Sequence, residues 1–322
     1  MAKNKRKKGG ENIADAAKKS SEVKINFNYP KILAVIIIII FAYAAYWYLT
    51  KPDWSVSEEG VLAYPIPKSV NYEKNLINET ESEKIYKIIY ESRGAKIYAL
   101  LRIPKTGGDK MPGAVILPGA GVSKEGETKT PEALSKMGYA TLTIDQRDTG
   151  ETNKNNKEAF DTRNDFEKFK NNEELITYKM AFDVISARKL MTQFPEVDST
   201  KLAVIGISNG GRMAIIAAGI DPEIKNFIGI STSGYDITGS TKDEQTRFYK
   251  SIDPDTYMPL ISPRKVVMIH SINDKMPIAG AEKTFSKAKD PKKFITVSCE
   301  LHGYCDEMQP HLEKELREAF WE

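Results

Sequence analysis

The stretch LAVIGISNGGRMAIIAAG, residues 202–219, joins a run of β-branched residues directly to a run rich in alanine and isoleucine. The first run is typical of a buried strand and the second of a helix. Gly206-Ile207-Ser208-Asn209-Gly210 lies between them. Two interpretations are open: an ordinary strand-to-helix turn with small residues at a crowded point, or a turn that presents Ser208 for chemistry.

The glycines favour the second interpretation. A serine at the tip of such a turn takes a strained backbone conformation, and Gly206 and Gly210 let the strand and the helix approach without a clash between β-carbons. The hydroxyl of Ser208 then stands clear of the sheet, and the free N–H groups at the helix N-terminus favour negative charge that develops beside it. The stretch therefore predicts a serine nucleophile.

Strand-like and helix-like segments alternate along the rest of the chain. Two segments joined at Ser92-Arg93-Gly94 predict an antiparallel hairpin, and the later strands are apolar throughout, which is typical of a parallel sheet covered by helices on both faces. We therefore expect an α/β fold. Two longer polar segments, 146–172 and 235–262, follow strands at the end of the sheet where ligands bind in open α/β folds.

A serine nucleophile needs a base, and the base needs an acid to orient it. Downstream of Ser208, VVMIHSINDKMP places Asp274 in the loop after one strand, and FITVSCELHGYCDEM places His302 in the loop after the last strand. Both loops follow carboxyl ends of predicted parallel strands, as Ser208 does. We therefore predict Ser208 as the nucleophile, Asp274 as the acid and His302 as the base.

The other histidines and acids fit these roles less well. His270 lies inside an apolar strand and His311 lies on the closing helix, so a structural and a surface role are the simpler interpretations. Four other acids stay as alternatives to Asp274: Asp145 and Asp148 after an earlier strand, and Asp253 and Asp255 in the segment 235–262.

Acyl transfer also needs two backbone N–H donors for the oxyanion. Asn209 follows the nucleophile and is the first predicted donor. The loop Pro118-Gly119-Ala120-Gly121 is small enough to let a carbonyl approach the main chain, and we predict Ala120 as the second donor. This loop lacks the Lys-Ser/Thr of a P-loop and the further glycine of a dinucleotide fingerprint, so we expect no cofactor.

The motifs GISNGG, HSINDKMP, LHGY and DQRDTGET resemble those of the α/β-hydrolase superfamily, in particular its dienelactone-hydrolase-like and prolyl-oligopeptidase-like serine hydrolases. The resemblance covers about residues 81–322. It implies an α/β-hydrolase fold, with a mostly parallel sheet, an antiparallel N-terminal edge and helices on both faces. It also implies that Ser208, Asp274 and His302 act as nucleophile, acid and base.

Two departures from the family pattern concern geometry and remove no catalytic group. Pro118-Gly119 stands where the family often has His-Gly, which bears on the oxyanion site. Asp148 stands where the pattern DxRGxG has glycine, which bears on the turn at 145–150.

The predicted activity is hydrolysis of a small-molecule or lipid-borne carboxylic ester through an acyl-enzyme. Two alternatives stay open. One is a serine peptidase of prolyl-oligopeptidase type, which is less expected because the chain carries no propeller-sized N-terminal domain. The other is a catalytically silent α/β-hydrolase domain that serves as a binding module.

Residues 32–49, ILAVIIIIIFAYAAYWYL, form the most apolar stretch of the chain and contain no charge and no proline. As a helix they would be about 27 Å long, close to the hydrocarbon thickness of a bilayer. Their aromatic C-terminal end suits the membrane interface, with Tyr43, Tyr46, Trp47 and Tyr48. We predict a membrane-spanning helix. A signal peptide cleaved near residues 42–44 is the alternative, but the long basic lead favours an uncleaved signal-anchor.

Charge predicts the orientation of this helix. Residues 1–31 contain nine Lys/Arg and three Asp/Glu, whereas residues 50–69 contain two Lys/Arg. The positive-inside rule then places the N-terminus in the cytoplasm and the catalytic domain outside it. The chain carries 47 basic and 44 acidic residues, so without this tail the balance is 38 to 41, which argues against a nucleic-acid partner.

These patterns divide the chain into a cytoplasmic tail (1–31), a transmembrane helix (32–49), a linker (50–80) and a hydrolase domain (81–322).

Cys299 and Cys305 bracket His302. The remaining histidines do not supply a set of metal ligands, so we expect no metal site. The sequence leaves both a disulfide and two free thiols open.

Overall fold

The computed structural model of the protein describes residues 28–50, 52–106 and 110–321, and it divides into two units, Met1–Pro52 and Asp53–Glu322. The described part of the first unit is helix α1 (Tyr29–Thr50). The window Tyr29–Tyr46 is long and apolar enough to cross a membrane, and none of it is buried inside the structure. The predicted membrane segment 32–49 lies within this helix, whereas residues 1–27 of the predicted tail lie outside the described residues.

The second unit is an α/β domain built on a nine-stranded sheet. The strands of this unit are β1 (Ser55–Val56), β2 (Leu62–Ala63), β3 (Tyr72–Glu79), β4 (Glu83–Ser92), β5 (Ala95–Pro104), β6 (Met111–Leu117), β7 (Ala140–Ile144), β8 (Val197–Ile207), β9 (Asn226–Ile230), β10 (Val266–Ser271) and β11 (Lys292–Val297). The order in the large sheet is β11-β10-β9-β8-β6-β7-β5-β4-β3, and β1 and β2 form a separate antiparallel pair. All pairs from β11 to β7 are parallel, whereas β7, β5, β4 and β3 pair antiparallel.

Helices cover both faces of the large sheet. They are α2 (Lys129–Lys136), α3 (Gly150–Asn156), α4 (Thr162–Lys170), α5 (Ile176–Met191), α6 (Asn209–Ile220), α7 (Glu244–Ile252), α8 (Pro254–Tyr257), α9 (Ile278–Lys287) and α10 (Gln309–Trp321). Successive residues of a strand point to opposite faces, so on β8 Val204 packs in the core with α5 and α6, and Ile205 packs in the core with α2 and α10. This explains why the central strands are mostly apolar on both faces.

The predicted hairpin is confirmed. Strands β4 and β5 pair along their whole length, from Glu83 with Pro104 to Ser92 with Ala95. The turn between them has positive φ at both central residues, 44° at Arg93 and 73° at Gly94. A two-residue turn of this kind matches the right-handed twist of the strands it joins.

The structure corrects the prediction of a linker over residues 50–80. Strand β3 lies in this segment and extends the large sheet by pairing with β4, and Leu62, Tyr64 and Val70 are buried in the domain core. The sequence pattern hid β3 because it is an edge strand with both faces largely exposed. Such a strand is held by backbone hydrogen bonds and needs no alternation of apolar and polar residues.

The two long polar segments also contain regular structure. Helices α3 and α4 lie in the segment 146–172, and α7 and α8 lie in the segment 235–262. These helices are short and mostly polar, so they lack the long apolar pattern that identified the other helices.

Candidate active site

Ser208 lies at a sharp turn between β8 and α6, with a φ of 52° and a ψ of −118°. Its backbone N–H donates to the carbonyl oxygen of Ile230 at 2.9 Å. A β-carbon on Gly206 would come within 2.5 Å of the Cα of Gly211, and one on Gly210 would overlap the carbonyl oxygen of Leu117. Both glycines predicted at this turn are therefore required by the close approach of strand and helix.

The structure brings Ser208, Asp274 and His302 together. Nε2 of His302 lies 2.8 Å from Oγ of Ser208, and Nδ1 of His302 lies 2.8 Å from Oδ1 of Asp274. The side chain of Asp274 is fully buried, whereas that of His302 keeps 21% of its surface exposed. An accessible hydroxyl, an imidazole and a buried carboxylate in this order can transfer a proton away from the hydroxyl.

The surroundings of Asp274 keep its carboxyl group ionised. Burial acts to raise the pKa of Asp274, but the backbone N–H of Met276, the hydroxyl of Ser231 and the imidazole of His302 outweigh burial and hold that pKa below its usual value. The N–H of Met276 donates to Oδ1 at 2.8 Å. A carboxylate that stays charged at neutral pH can stabilise an imidazolium on His302.

The alternative histidines lie outside this cluster. His270 is buried in β10, where Nε2 lies 3.1 Å from the carbonyl oxygen of Met276, and His311 is exposed on α10. Both positions agree with the structural and surface interpretations.

Two of the four alternative acids, Asp253 and Asp145, hold other groups. Asp253 accepts hydrogen bonds from the backbone N–H groups of Tyr235, Ile237 and Asp255, and so caps backbone rather than an imidazole. Asp145 is buried and accepts from both nitrogens of Lys124. Among the described residues, the hydrogen bonds of the His302 ring go to Asp274 and Ser208.

The side chain of Gln146 connects the two segments that carry the predicted oxyanion donors, Asn209 and Ala120. Asn209 is the first residue of α6, where backbone N–H groups have no partner within the helix. Its side chain donates to Oε1 of Gln146 at 3.1 Å, and the amide of Gln146 donates to the carbonyl oxygen of Pro118 at 2.6 Å. Gln146 thereby connects the turn at Ser208 to the loop that carries Ala120, which is exposed.

Just after the loop that carries Ala120, Lys124 forms a cluster of buried charges that the sequence analysis did not predict. Nζ of Lys124 lies 3.0 Å from Oδ2 of Asp145 and 2.8 Å from Oε2 of Glu151, and the side chains of Lys124 and Asp145 are fully buried. At the predicted turn 145–150, Gly150 has a φ of 59°, and a β-carbon there would overlap the carboxylate of Asp145. The motif DQRDTGET contains three members of this arrangement, but their partner Lys124 lies outside it.

An open cleft of about 540 Å³ leads to Ser208 and His302. It is lined by Gly119, Ala120, Val122, Gly126, Glu127, Thr128, Lys129, Ile207, Ser208, Lys275, Leu301, His302, Gly303 and Tyr304. A second cavity, of about 690 Å³, is lined in part by Ser199, Thr200 and Leu202 of β8, and none of the predicted site residues lines it.

Cys299 and Cys305 form a disulfide, which decides between the two states that the sequence left open. The bond closes the short loop that carries His302. At the start of this loop, the backbone N–H of Cys299 donates to Oγ of Ser271 at 3.0 Å. The predicted base, His302, therefore lies on a segment that is tied at both ends.

Comparison with known proteins identifies the family. The sequence model of the acetyl xylan esterase (AXE1) family matches residues 66–232, slightly more than half of the chain. A curated relative, an uncharacterized protein of Pseudomonas aeruginosa, is 30% identical over 155 residues, which cover 47% of this chain and 37% of that protein. The match thus spans little more than a third of that relative.

Solved structures with the same fold include esterases. Acetyl xylan esterase 1 from Thermoanaerobacterium sp. JW/SL YS485 is 15% identical with a TM-score of 0.63, over 78% of this chain and 89% of that one. A glucuronoyl esterase from Solibacter usitatus is 13% identical with a TM-score of 0.60, over 84% and 89%. At these identities the likeness establishes the fold, and the α/β-hydrolase fold predicted from the sequence is confirmed. Together with the family match, it shows that the chain belongs to the acetyl xylan esterase (AXE1) family of serine carboxylic-ester hydrolases.

Proposed function

We propose that the protein is a membrane-anchored esterase that hydrolyses a carboxylic ester through an acyl-enzyme on Ser208. The observation that carries this proposal is the pair of 2.8 Å contacts that His302 makes with Ser208 and Asp274. A silent binding module would not need this arrangement of nucleophile, base and acid beside an open cleft. The three residues match the roles of a serine hydrolase triad.

In the first half of the reaction, Oγ of Ser208 attacks the ester carbonyl while Nε2 of His302 takes the hydroxyl proton. Asp274 holds the imidazole through Nδ1 and stabilises its positive charge. His302 then gives the proton to the departing alcohol as the carbon–oxygen bond breaks. In the second half, water attacks the acyl group, His302 takes a proton from that water, and Ser208 is released with its hydroxyl restored.

Negative charge on the carbonyl oxygen is stabilised, in this proposal, by the backbone N–H groups of Asn209 and Ala120. Asn209 lies at the N-terminus of α6, and Ala120 lies on the wall of the cleft. Gly119 lies beside the nucleophile, since a β-carbon there would be in van der Waals contact with Cβ of Ser208 at 3.5 Å. Donors that are fixed before the reaction stabilise the oxyanion without reorganising.

The proposed substrate is a short acyl ester carried by a carbohydrate, either free or borne on a lipid. The family and the fold neighbours are named for acetyl xylan and glucuronoyl esters, which supports a carbohydrate ester as the substrate class. The cleft is open, with polar residues such as Thr128 and Lys129 on its wall, which suits a hydrated carrier. No cofactor or metal takes part in the proposed steps.

The proposal places the catalytic domain outside the cytoplasmic membrane, anchored by α1. The charge excess of residues 1–31 supports this orientation. The disulfide between Cys299 and Cys305 supports it independently, because disulfides persist in oxidising compartments and are rare in the cytosol.

The test uses the full chain in detergent micelles. We expect covalent labelling by a fluorophosphonate probe and release of 4-nitrophenol from its acetyl ester, both abolished by Ser208→Ala. Release of acetate from acetylated xylo-oligosaccharides tests the substrate class separately. The control Ser233→Ala removes a nearby hydroxyl that is not in the triad and should label normally. Equal labelling of Ser208→Ala and the wild-type protein would contradict the proposal.

A further inference from the structure

Three consecutive residues, Ile230 at the end of β9 and the two that follow it, contact both the turn at Ser208 and the loop of His302. The carbonyl oxygen of Ile230 accepts from the N–H of Ser208 at 2.9 Å, and Oγ1 of Thr232 donates to the carbonyl oxygen of Ser208 at 2.8 Å. Between them, Oγ of Ser231 accepts from the N–H of Gly303 at 3.1 Å. Gly303 follows the base directly, so this segment connects the nucleophile turn to the loop of His302.

The hydroxyl of Ser231 is also among the groups that favour the charged form of Asp274 and lower its pKa. Oδ1 of Asp274 already accepts from the N–H of Met276 and contacts His302, whereas Oδ2 is buried and has no hydrogen-bond partner among the described residues. A serine hydroxyl has one donor hydrogen and two acceptor lone pairs. Because the Ser231 oxygen accepts from Gly303, its hydrogen remains available to turn towards the Asp274 carboxylate.

The backbone at Ser231 indicates that the side chain matters. Ser231 is completely buried and has a φ of 48°, a left-handed conformation that glycine adopts at lower cost. Its N–H donates to the carbonyl oxygen of Ile269 in β10 at 3.0 Å, which fixes the segment against the strand before the acid. Strain of this kind persists where the surrounding contacts over-determine it, often at functional sites.

We infer that Ser231 is a positioning residue for ester hydrolysis, whose hydroxyl sets the separation of the acid and base loops by accepting from Gly303 and donating to Asp274. This inference rests on the proposed function. It assigns no contact with substrate to Ser231, which acts through Asp274 and His302. Removal of the hydroxyl takes away one restraint on the carboxylate and one on the His302 loop, and an error of about 1 Å in such a site lowers the rate by on the order of 100-fold.

The test compares Ser231→Gly and Ser231→Ala with the wild-type full chain in detergent. Ser231→Gly suits the left-handed backbone, so it removes the hydroxyl without adding strain, and thermal melting checks that the variant stays folded. We expect kcat to fall about 10- to 100-fold with KM within about twofold. The rate of fluorophosphonate labelling should fall in parallel. Ser233→Ala, two residues along the same segment, is the matched control and should keep wild-type rates.

A second readout separates positioning from folding. Asp274 loses a group that favours its charged form, so the acidic limb of the kcat/KM profile should move to higher pH in Ser231→Gly but not in Ser233→Ala. Wild-type kcat and an unshifted profile in Ser231→Gly would overturn the inference. If the wild-type protein neither labels nor hydrolyses esters, the proposed function fails instead. In that case the low-field proton resonance of the His302–Asp274 hydrogen bond still tests the positioning role of Ser231. An unchanged resonance in Ser231→Gly would refute that role.

Discussion

Asp274 and His302 meet at 2.8 Å because the strands that precede them are parallel neighbours in exact lateral register. Ser271, the last residue of β10, pairs with Val297, the last residue of β11. The two loops therefore leave the sheet at the same height and side by side, and each needs only a few residues to bring its side chain to the other. The pairing of acid and base follows from this register.

The first prediction concerns the acid. Asp274→Asn should keep the fold but lower kcat by on the order of 10⁴, because an amide cannot hold the productive tautomer of His302 or stabilise its charge. Ester hydrolysis and circular dichroism measured on the same sample check both parts. Asp253→Asn is the matched control, since Asp253 caps backbone N–H groups, and it should lower thermal stability while kcat stays within a few-fold. The opposite ranking of kcat would place the acid in the segment 235–262.

The second prediction concerns the disulfide. Replacing Cys299 and Cys305 with alanine together should reduce the free energy of unfolding by about 2 kcal/mol, because the loop they close is short. It should also lower kcat several-fold, since His302 lies inside that loop. Thermal unfolding and ester hydrolysis, each with and without dithiothreitol, measure the two effects. Reductant should slow the wild-type protein and leave the double variant unchanged; full activity in the double variant would show that the loop holds His302 without the bond.

The third prediction concerns the pH dependence of stability. Asp165 on α4 has a side chain only 2% exposed, and Oδ2 lacks a hydrogen-bond partner. Burial raises its pKa to about 6; Lys168 and Lys179 oppose the rise, and the charge of Asp161 adds to it. Because the folded-state pKa lies above the unfolded-state value, the carboxyl group costs little stability below about pH 4, and the penalty grows until pH passes about 6.

Asp165→Asn should therefore stabilise the protein by about 2 kcal/mol at pH 8 and have little effect at pH 4. Melting temperatures of the two proteins across this range give the comparison. Glu167→Gln on the same helix is the control, because the Glu167 side chain is 60% exposed and should show no such trend. A stabilisation that does not depend on pH would mean that the charge of Asp165 is not its cause.

The fourth prediction concerns topology. In intact spheroplasts, added protease should digest the hydrolase domain, because in the proposed topology the basic excess of residues 1–31 keeps the N-terminus in the cytoplasm. A cytoplasmic marker protein should stay protected in the same sample. Replacing the lysines and arginines of the tail with glutamine should reduce the digested fraction. A domain protected until the membrane is lysed would reverse the proposed orientation.

Much of the fold and of the candidate site was predictable from the sequence, because those features depend on residues that are close together in the chain. The apolar runs define the central strands, and the glycines around Ser208 define a turn that other residues would obstruct. Asp274 and His302 were predicted as acid and base because they are polar residues just beyond apolar strands, and the structure brings them together. Parallel strands place such loops at one edge of the sheet, so chain order was enough to connect them.

The rest depended on neighbours that are distant in sequence, and only the tertiary structure decided it. Strand β3 is largely exposed on both faces and is defined by its pairing with β4. Lys124 and Asp145 are buried charges whose burial is tolerated only because each compensates the other. Nothing in the sequence distinguishes Ser231 from other serines. In the folded chain its hydroxyl accepts from Gly303 and favours the charged form of Asp274. A local pattern records which face of an element is buried, but the partner of a polar group is decided by the packing of elements around it.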